Sequence, residues 1–266
     1  MQTVQAGGVR LAVEVRGQGP AVLLVHGFPL DHTLWNAQIE SLAERYRVLV
    51  PDLRGFGHSG PAEDTVTMEQ FADDLAGLLD ALGIDGPIVL GGLSMGGYIA
   101  MAFLRKYPQR LRGLALCDTK AAADSDEAKA GRLATAERVL REGPEFLAQT
   151  MLPKLLAPAS LEKKDLVDRV RRMIVAQPPA AIAAAQRGMA QRPDSTDLLG
   201  RLPCPALFLA GEHDALSPPA DMRQLAAACR TANGRPGTFV EISGAGHLAP
   251  LENPAEVNAA LHSFLE

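Results

Sequence analysis

Short apolar runs alternate along the chain with segments in which hydrophobic residues recur at helical spacing. Between residues 9 and 16, hydrophobic and polar residues alternate one by one, which predicts an antiparallel edge strand with one face toward solvent. The later runs are mostly continuous, as expected for parallel strands whose two faces are both covered. They are AVLLV (21–25), RVLV (47–50), IVL (88–90), LALC (114–117), ALFLA (206–210) and TFVEI (238–242).

Helical segments fill most of the intervals between these runs. Thr67 and Gln70 form a capping box at the start of one segment, whose apolar residues share a single face. Asn253 as the cap and Pro254 as the first helical residue begin another segment. Strands that alternate with helices in this way predict a doubly wound α/β fold, with a mostly parallel sheet, flanking helices and right-handed crossovers.

The alternation stops between residues 119 and 200. This stretch has helical spacing broken by several prolines, and no pattern in it favours a strand. We interpret residues 119–200 as a helical insertion within a single domain, 1–266, whose core is formed by residues 1–118 and 201–266. Ligands of open α/β sheets bind beyond the carboxyl ends of the strands, so the insertion is expected to act as a lid, or cap, over the site.

A single serine lies among glycines where the run IVL meets the next helical segment. Ser94 has Gly92 two residues before it and Gly96 two residues after it, which is the Gly-x-Ser-x-Gly spacing of a nucleophile elbow. Such a sharp strand-to-helix turn leaves no room for side chains at the flanking positions, and it presents the hydroxyl beside a helix N-terminus. The pattern therefore predicts a nucleophilic serine.

A serine hydroxyl needs a base to accept its proton, and the base needs an acid to orient it. Asp214 follows the run ALFLA and His247 follows the run TFVEI, so both are expected at the same edge of the sheet as Ser94. These three residues form a candidate catalytic triad. Glu212 and Asp118 are the alternative acids.

Another glycine-rich stretch matches a nucleotide-binding pattern but is interpreted differently. Residues 55–60 satisfy G-x-G-x-x-G, yet Pro61 and a polar stretch delay the next helix, whereas the dinucleotide fingerprint must open a helix directly. We predict a glycine turn near the site instead, in which Asp52 caps a turn and Arg54 and His58 make structural hydrogen bonds.

Five motifs occur in order along nearly the whole chain: HGFP (26–29), DLRGFGHS (52–59), GLSMGG (92–97), GEHD (211–214) and GAGH (244–247). Together they resemble the α/β-hydrolase fold family, and in particular its branch of serine esterases and cofactor-free haloperoxidases with perhydrolase activity. The resemblance implies an oxyanion hole formed by the backbone N–H groups of Phe28 and Met95. A serine at the elbow is unlike the dehalogenase and epoxide-hydrolase branches, which use an aspartate there.

The resemblance implies a carboxylesterase-like enzyme that cleaves esters of small, largely apolar substrates through an acyl-enzyme on Ser94. Lactonase activity, on an enol-lactone or another lactone, and perhydrolase activity are alternatives. Carbon–carbon bond hydrolysis and a non-catalytic receptor role are further alternatives. The candidate substrate-pocket residues are Pro29, Leu93, Leu152, Leu216 and Leu248.

Composition and charge change this picture little. The net charge of -5 comes without a basic stripe, which argues against nucleic-acid binding. Neither a leader pattern nor a long apolar run occurs, so export and membrane insertion are not expected. Cys117, Cys204 and Cys229 are predicted to be buried free thiols in a reducing compartment, which favours a cytoplasmic location. The expected partner is a small-molecule ester or lactone, and the sequence indicates no cofactor, metal set or homo-oligomer.

Overall fold

The computed structural model describes residues 1–266 and contains one eight-stranded sheet. Its strands are β1 Gln2–Ala6, β2 Val9–Arg16, β3 Ala21–Val25, β4 Arg47–Pro51, β5 Ile88–Leu93, β6 Leu111–Cys117, β7 Ala206–Gly211 and β8 Thr238–Ile242. The order across the sheet is β1-β2-β4-β3-β5-β6-β7-β8. β2 is antiparallel to both of its neighbours, and the other strand pairs are parallel. All six continuous apolar runs are therefore strands of a mostly parallel sheet, and the predicted fold class is confirmed.

The N-terminal hairpin differs from the sequence prediction in one respect. β2 is antiparallel as predicted, but the edge position belongs to β1, which pairs with β2 along its whole length. Gly7 and Gly8 connect the two strands, and both have positive φ (54° and 97°), which favours a tight hairpin turn. β1 carries no apolar pattern because an edge strand of this kind buries only Ala6 fully.

Twelve α-helices surround the sheet. They are α1 Asn36–Leu42, α2 Met68–Ala81, α3 Met95–Lys106, α4 Asp126–Glu142, α5 Glu145–Leu155, α6 Pro158–Leu161, α7 Lys164–Val175, α8 Pro179–Ala190, α9 Thr196–Leu199, α10 Pro219–Ala228, α11 Ala249–Glu252 and α12 Pro254–Leu265. Both predicted helix starts are present. The Thr67 hydroxyl accepts from the Gln70 N–H (3.1 Å), and the Asn253 side chain accepts from the Glu256 N–H (3.3 Å).

Six helices, α4 to α9, and no strand lie between β6 and β7. The longest of them, α4, packs against α8. Two of the prolines in this segment begin helices instead of ending them, because Pro158 and Pro179 are the first residues of α6 and α8. The helical character of the segment agrees with the sequence prediction, while its separation from a core of residues 1–118 and 201–266 stays a prediction.

The sheet and the inner faces of the helices share one continuous hydrophobic core. Every residue of β5 and β7 is buried, as expected for central strands that are covered on both faces. Cys117, Cys204 and Cys229 are buried and form no disulfide. A membrane-spanning helix is absent, because none of the helices is both long and apolar enough to cross a bilayer.

Candidate active site

Ser94 lies in the turn between β5 and α3. Its φ of 54° and ψ of −112° form a combination that residues with a side chain rarely adopt, so the turn is strained. A Cβ on Gly92 would overlap the carbonyl oxygen of Gly96, and a Cβ on Gly96 would overlap that of Val25. Both glycines are therefore required for the turn to close.

Three residues that are distant in the sequence form a continuous chain of hydrogen bonds at this edge of the sheet. His247 Nε2 lies 2.8 Å from Ser94 Oγ, and His247 Nδ1 lies 2.8 Å from Asp214 Oδ2. Because an ionised carboxylate only accepts, Nδ1 carries the ring proton, which leaves Nε2 to accept from the Ser94 hydroxyl. The side chains of His247 and Asp214 are 4% and 0% exposed, so the bond between them is shielded from water.

The loop after β7 keeps the Asp214 carboxylate ionised. Its Oδ1 accepts from the N–H groups of Leu216 (2.7 Å) and Ser217 (3.0 Å), while Oδ2 accepts from His247. Burial opposes ionisation, but the hydrogen bond and charge of His247 and the two N–H groups outweigh it, so the pKa of Asp214 is lowered. A fixed negative charge beside Nδ1 can orient the imidazole and stabilise its protonated form.

A second carboxyl group, Asp118, is buried at the end of β6 and contacts the Asp214 side chain. Asp118 Oδ1 accepts from the Gly211 N–H at 2.7 Å, whereas its Oδ2 is buried without a donor. Burial and the nearby charge of Asp214 raise the pKa of Asp118 well above its usual range, which favours the protonated form. Asp118 thus contacts Asp214 and Gly211 and makes no hydrogen bond with His247, which an alternative acid would need.

The other alternative acid, Glu212, also lies away from the histidine. Its carboxylate is half-exposed and accepts from the Gly244 N–H at 2.9 Å. This contact joins the loops that follow β7 and β8. Glu212 thus supports the loop that carries His247 and leaves Asp214 as the carboxylate bonded to the ring.

Two backbone N–H groups, those of Phe28 and Met95, have no hydrogen-bond acceptor in the protein. Met95 is the first residue of α3, so its N–H has no acceptor in a preceding helical turn. The N–H of Phe28, in the loop after β3, has no backbone acceptor. The Phe28–Pro29 peptide bond is cis. Both N–H groups are therefore available to a ligand at Ser94.

His26 holds the loop that contains Phe28. Its Nε2 accepts from the Leu53 N–H (3.1 Å), and its Nδ1 donates to the carbonyl of Gly27 (2.9 Å). Burial lowers the pKa of His26, which keeps the ring neutral and lets one nitrogen accept while the other donates. The HGFP motif thus contains a structural histidine, a role that the sequence did not reveal.

The elbow opens into a cavity of about 570 Å³. Its wall contains Ser94 and His247, together with Phe28 and Leu216. Fourteen of its twenty lining residues come from the segment 119–200, chiefly from α4, α5 and α8. A substrate bound at Ser94 would lie between the edge of the sheet and these helices.

The structure requires a correction to the five expected pocket residues. Leu216 lines the cavity, whereas Pro29, Leu93, Leu152 and Leu248 do not. Leu93 is the last residue of β5 and Leu248 follows His247 in a turn. Both are fully buried in the hydrophobic core instead of facing the cavity. Leu152 is buried on α5, where positions 151 and 155 line the cavity instead.

The wall of the cavity combines apolar and charged side chains, while the expected largely apolar substrate stays a prediction. Nine of the twenty lining residues are hydrophobic, and five are charged: Lys120, Asp124, Arg132, Arg138 and Lys154. These charged residues are spread over 35 positions of a mixed-charge segment, so no local pattern marked them as a group. Only the packing of α4 and α5 around the cavity brings them together.

A separate cluster outside the cavity has the composition of a metal site. His32, Asp52 and His58 place possible ligand atoms within 4.8 Å of one another. The Asp52 carboxylate, however, already accepts from the N–H and Nδ1 of His32 and from the N–H of His58, at 2.7 to 2.9 Å. We therefore interpret the cluster as structural, consistent with a turn-capping Asp52. Arg54, which lies beside it, is bound by Asp74 at 2.5 and 2.8 Å.

Comparison with known proteins gives consistent results. The chain matches the family model of the alpha/beta hydrolase fold over residues 20–254. A thermophilic esterase from Thermogutta terrifontis, solved with malate bound, is 50% identical with a TM-score of 0.94, over 99% of this chain and 97% of that one. The enol-lactonase from Burkholderia xenovorans LB400 is 28% identical with a TM-score of 0.89, over 99% of both chains. The pimeloyl-[acyl-carrier protein] methyl ester esterase of Aeromonas hydrophila is 30% identical over 80% of this chain and 84% of that protein.

Some curated relatives are longer than this chain. Uncharacterized proteins from Mycobacterium bovis and Mycobacterium tuberculosis are 34% identical over 149 residues, and the match covers 56% of this chain and 42% of theirs. The family model, in contrast, spans both the elbow of Ser94 and the loop of His247. Because the match covers most of the sheet and every part of the site, the chain belongs to the α/β-hydrolase fold family.

Proposed function

We propose that the protein is a serine hydrolase that cleaves carboxylic esters of small acids through an acyl-enzyme on Ser94. The observation that carries the proposal is the 2.8 Å hydrogen bond between the Ser94 hydroxyl and a histidine nitrogen whose partner nitrogen is held by a buried carboxylate. A serine hydroxyl becomes an effective nucleophile when such a base is in place. The likeness to the Thermogutta esterase over nearly the whole chain supports the same activity.

In the first half of the proposed reaction, His247 Nε2 takes the hydroxyl proton while Ser94 Oγ attacks the ester carbonyl carbon. Asp214 stabilises the imidazolium through its bond to Nδ1. The negative charge that develops on the carbonyl oxygen is held by the N–H groups of Phe28 and Met95. Each donor of this kind lowers a barrier by about 3 kcal/mol. The imidazolium then protonates the leaving alcohol, and the acyl group remains on Ser94.

Water completes the reaction. His247 accepts a proton from a water molecule that attacks the acyl-enzyme, and the same N–H groups stabilise the second tetrahedral intermediate. Collapse of that intermediate releases the carboxylic acid and returns the proton to Ser94. Each step of the proposed reaction uses side chains and backbone N–H groups of this chain together with water.

The segment 119–200 is proposed to act as the lid of this site. It supplies fourteen of the twenty residues that line the cavity, so it mainly determines which substrate shapes fit there. Enclosing the reacting carbonyl between the sheet and these helices also strengthens every electrostatic contact at the site, because water is partly excluded.

A lactone is the second candidate substrate. The enol-lactonase from Burkholderia xenovorans LB400 aligns over 99% of this chain with a TM-score of 0.89. A lactone is a cyclic ester, so the same attack by Ser94 opens its ring, and the leaving oxygen stays attached to the acyl group. Both candidates use one mechanism and differ in the shape of the substrate.

The test is hydrolysis of p-nitrophenyl butyrate and of a small lactone by the wild type and the Ser94→Ala variant. We expect Ser94→Ala to lower kcat by about 10⁴-fold or more, because no other group can take over the role of the Ser94 hydroxyl. Ser263→Ala, which changes an exposed serine on α12, serves as the matched control and is expected to leave the rates unchanged. Equal rates in the wild type and Ser94→Ala would exclude the serine mechanism.

A further inference from the structure

The cavity beside Ser94 is rich in positive charge, although the protein as a whole has a net charge of -5. Its lining contains four cationic residues and one anionic residue; the cations are Lys120, Arg132, Arg138 and Lys154, and the anion is Asp124. A wall with the average composition of this chain would contain slightly more acidic than basic residues, because the chain has 31 acidic and 26 basic residues. The excess of positive charge is therefore a property of the site.

Asp124 does not cancel this charge because two arginines share it. Its carboxylate pairs with Nε of Arg132 and with Nη1 of Arg192. Burial opposes its ionisation, but the hydrogen bonds from both arginines outweigh burial and lower the pKa of Asp124. The three side chains together keep one net positive charge at the wall of the cavity.

Arg132 is held in place while part of its guanidinium stays free. Its Nε is bonded to Asp124, and its Nη1 lies 3.3 Å from Gln186 Oε1. Its Nη2 has no acceptor in the protein, and Arg132 lines the cavity. A guanidinium fixed on one side loses little conformational freedom when its free N–H groups bind a carboxylate.

Short contacts connect the buried Arg192 and the residue that precedes Lys120 to the elbow. The guanidinium of Arg192 is 4.1 Å from the centre of the Tyr98 ring, and the Tyr98 N–H donates to the carbonyl of Ser94 (3.2 Å). The Thr119 hydroxyl donates to the same carbonyl at 2.7 Å. Lys120 follows Thr119 directly, is exposed, and has no carboxylate within 4.0 Å.

The direction of the reaction decides which part of a substrate meets these charges. The leaving oxygen must face Nε2 of His247 to receive its proton, and His247 belongs to the loop after β8. Two cationic residues of the cavity wall, Lys120 and Arg132, belong to a separate segment that runs from the end of β6 to the middle of α4. An acyl part that extends away from His247 would meet these cations in the same cavity.

We propose that the cavity selects esters and lactones whose acyl part ends in a carboxylate, and that this carboxylate is bound by Nη2 of Arg132 and the ammonium of Lys120. The proposal rests on the proposed function, because it describes the substrate of the same hydrolytic site. Hydrolysis of such a half-ester adds water across the acyl C–O bond and yields the dicarboxylate and the alcohol. Charge-assisted hydrogen bonds of this kind favour the charged substrate by about 10- to 100-fold over an uncharged one of equal size.

The experiment compares kcat/KM for monomethyl glutarate and methyl valerate, in which a methyl group replaces the carboxylate. We expect the wild type to prefer monomethyl glutarate, and the ratio of the two values to fall by about tenfold or more in Arg132→Gln. Lys120→Gln is expected to lower the ratio as well. Arg141→Gln, an exposed arginine on the same helix that does not line the cavity, is the matched control and should leave the ratio unchanged.

A binding measurement separates this proposal from the hydrolytic one. Calorimetry with the Ser94→Ala variant should show monomethyl glutarate binding at least about tenfold more tightly than methyl valerate, and Arg132→Gln in that background should remove the difference. An unchanged ratio in both cavity variants, or a wild type that cleaves only methyl valerate, would overturn the carboxylate selectivity. Hydrolysis that persists in Ser94→Ala would instead overturn the proposed function, while the binding of monomethyl glutarate would still test the carboxylate selectivity of the cavity.

Discussion

Replacing Asp52 with asparagine is expected to destabilise the protein by about 2 kcal/mol, and the loss should depend on pH. Asp52 is fully buried at the end of β4. Burial alone would raise its pKa, but hydrogen bonds from the side chain and N–H of His32 and from the N–H of His58 lower it from 3.8 to about 2. Since one pKa unit corresponds to about 1.4 kcal/mol, this lowering gives the expected magnitude.

The sign of the pH dependence follows from both partners. Asp52 binds its proton more weakly in the folded state, so its stabilisation is complete above pH 3.8 and is lost as the pH falls toward 2. The hydrogen bond to Asp52 raises the pKa of His32, so the support from His32 is complete below pH 6.5 and is lost as the pH rises through the raised value. Both statements describe one interaction, which is therefore strongest between pH 3.8 and 6.5.

The assay is urea unfolding of the wild type and Asp52→Asn from pH 4 to pH 8. Trp35 is fully buried and is the single tryptophan, so its fluorescence reports the transition. Asp85→Asn changes an exposed aspartate and should alter the free energy of unfolding by less than about 0.5 kcal/mol. A difference between the wild type and Asp52→Asn that is absent, or that stays constant across this pH range, would refute the reasoning.

Three further predictions concern the carboxyl groups near His247, the elbow and helix α4. Asp118→Asn should keep kcat for p-nitrophenyl butyrate within about tenfold of the wild type, because an amide is uncharged like the protonated acid that burial favours, whereas Asp214→Asn should lower kcat by about 10⁴-fold; equal losses would contradict the different roles of the two carboxyl groups. Gly92→Ala should destabilise the protein by about 1 to 3 kcal/mol and abolish ester hydrolysis, since its Cβ would overlap the carbonyl oxygen of Gly96. Gly131→Ala on α4, where a Cβ meets open space, should instead raise the free energy of unfolding by about 0.5 to 1 kcal/mol, and a loss of stability there would contradict the packing described for that helix.

Much of the fold can be read from local patterns because each element repeats a simple physical rule. A buried parallel strand must be apolar along its whole length, and all six such runs are strands. A capping side chain must precede the first helical turn, and Thr67 and Asn253 do so. β1 is the exception, because a polar edge strand gains its order from pairing with β2 and not from its own pattern.

The elbow and its partners can also be read from the sequence. A strained turn requires glycine on either side of Ser94, and residues that follow parallel strands must meet at one edge of the sheet. These local requirements place Asp214 and His247 near the serine before any contact is known. The hydrogen bonds of 2.8 Å that join the three residues agree with this expectation.

The sequence by itself determined the strands, the caps, the elbow and the order of the three residues, because each depends on neighbours within a few positions of the chain. Tertiary structure decided what surrounds them. It buried Leu93 and Leu248 in the core, placed Asp118 behind Asp214, and brought Lys120 and Arg132 to the wall of the cavity. The last outcome depends on how helices from residues 119–200 pack around the cavity. All of them depend on contacts between elements that are distant in the chain, and the residues around a position do not specify such contacts.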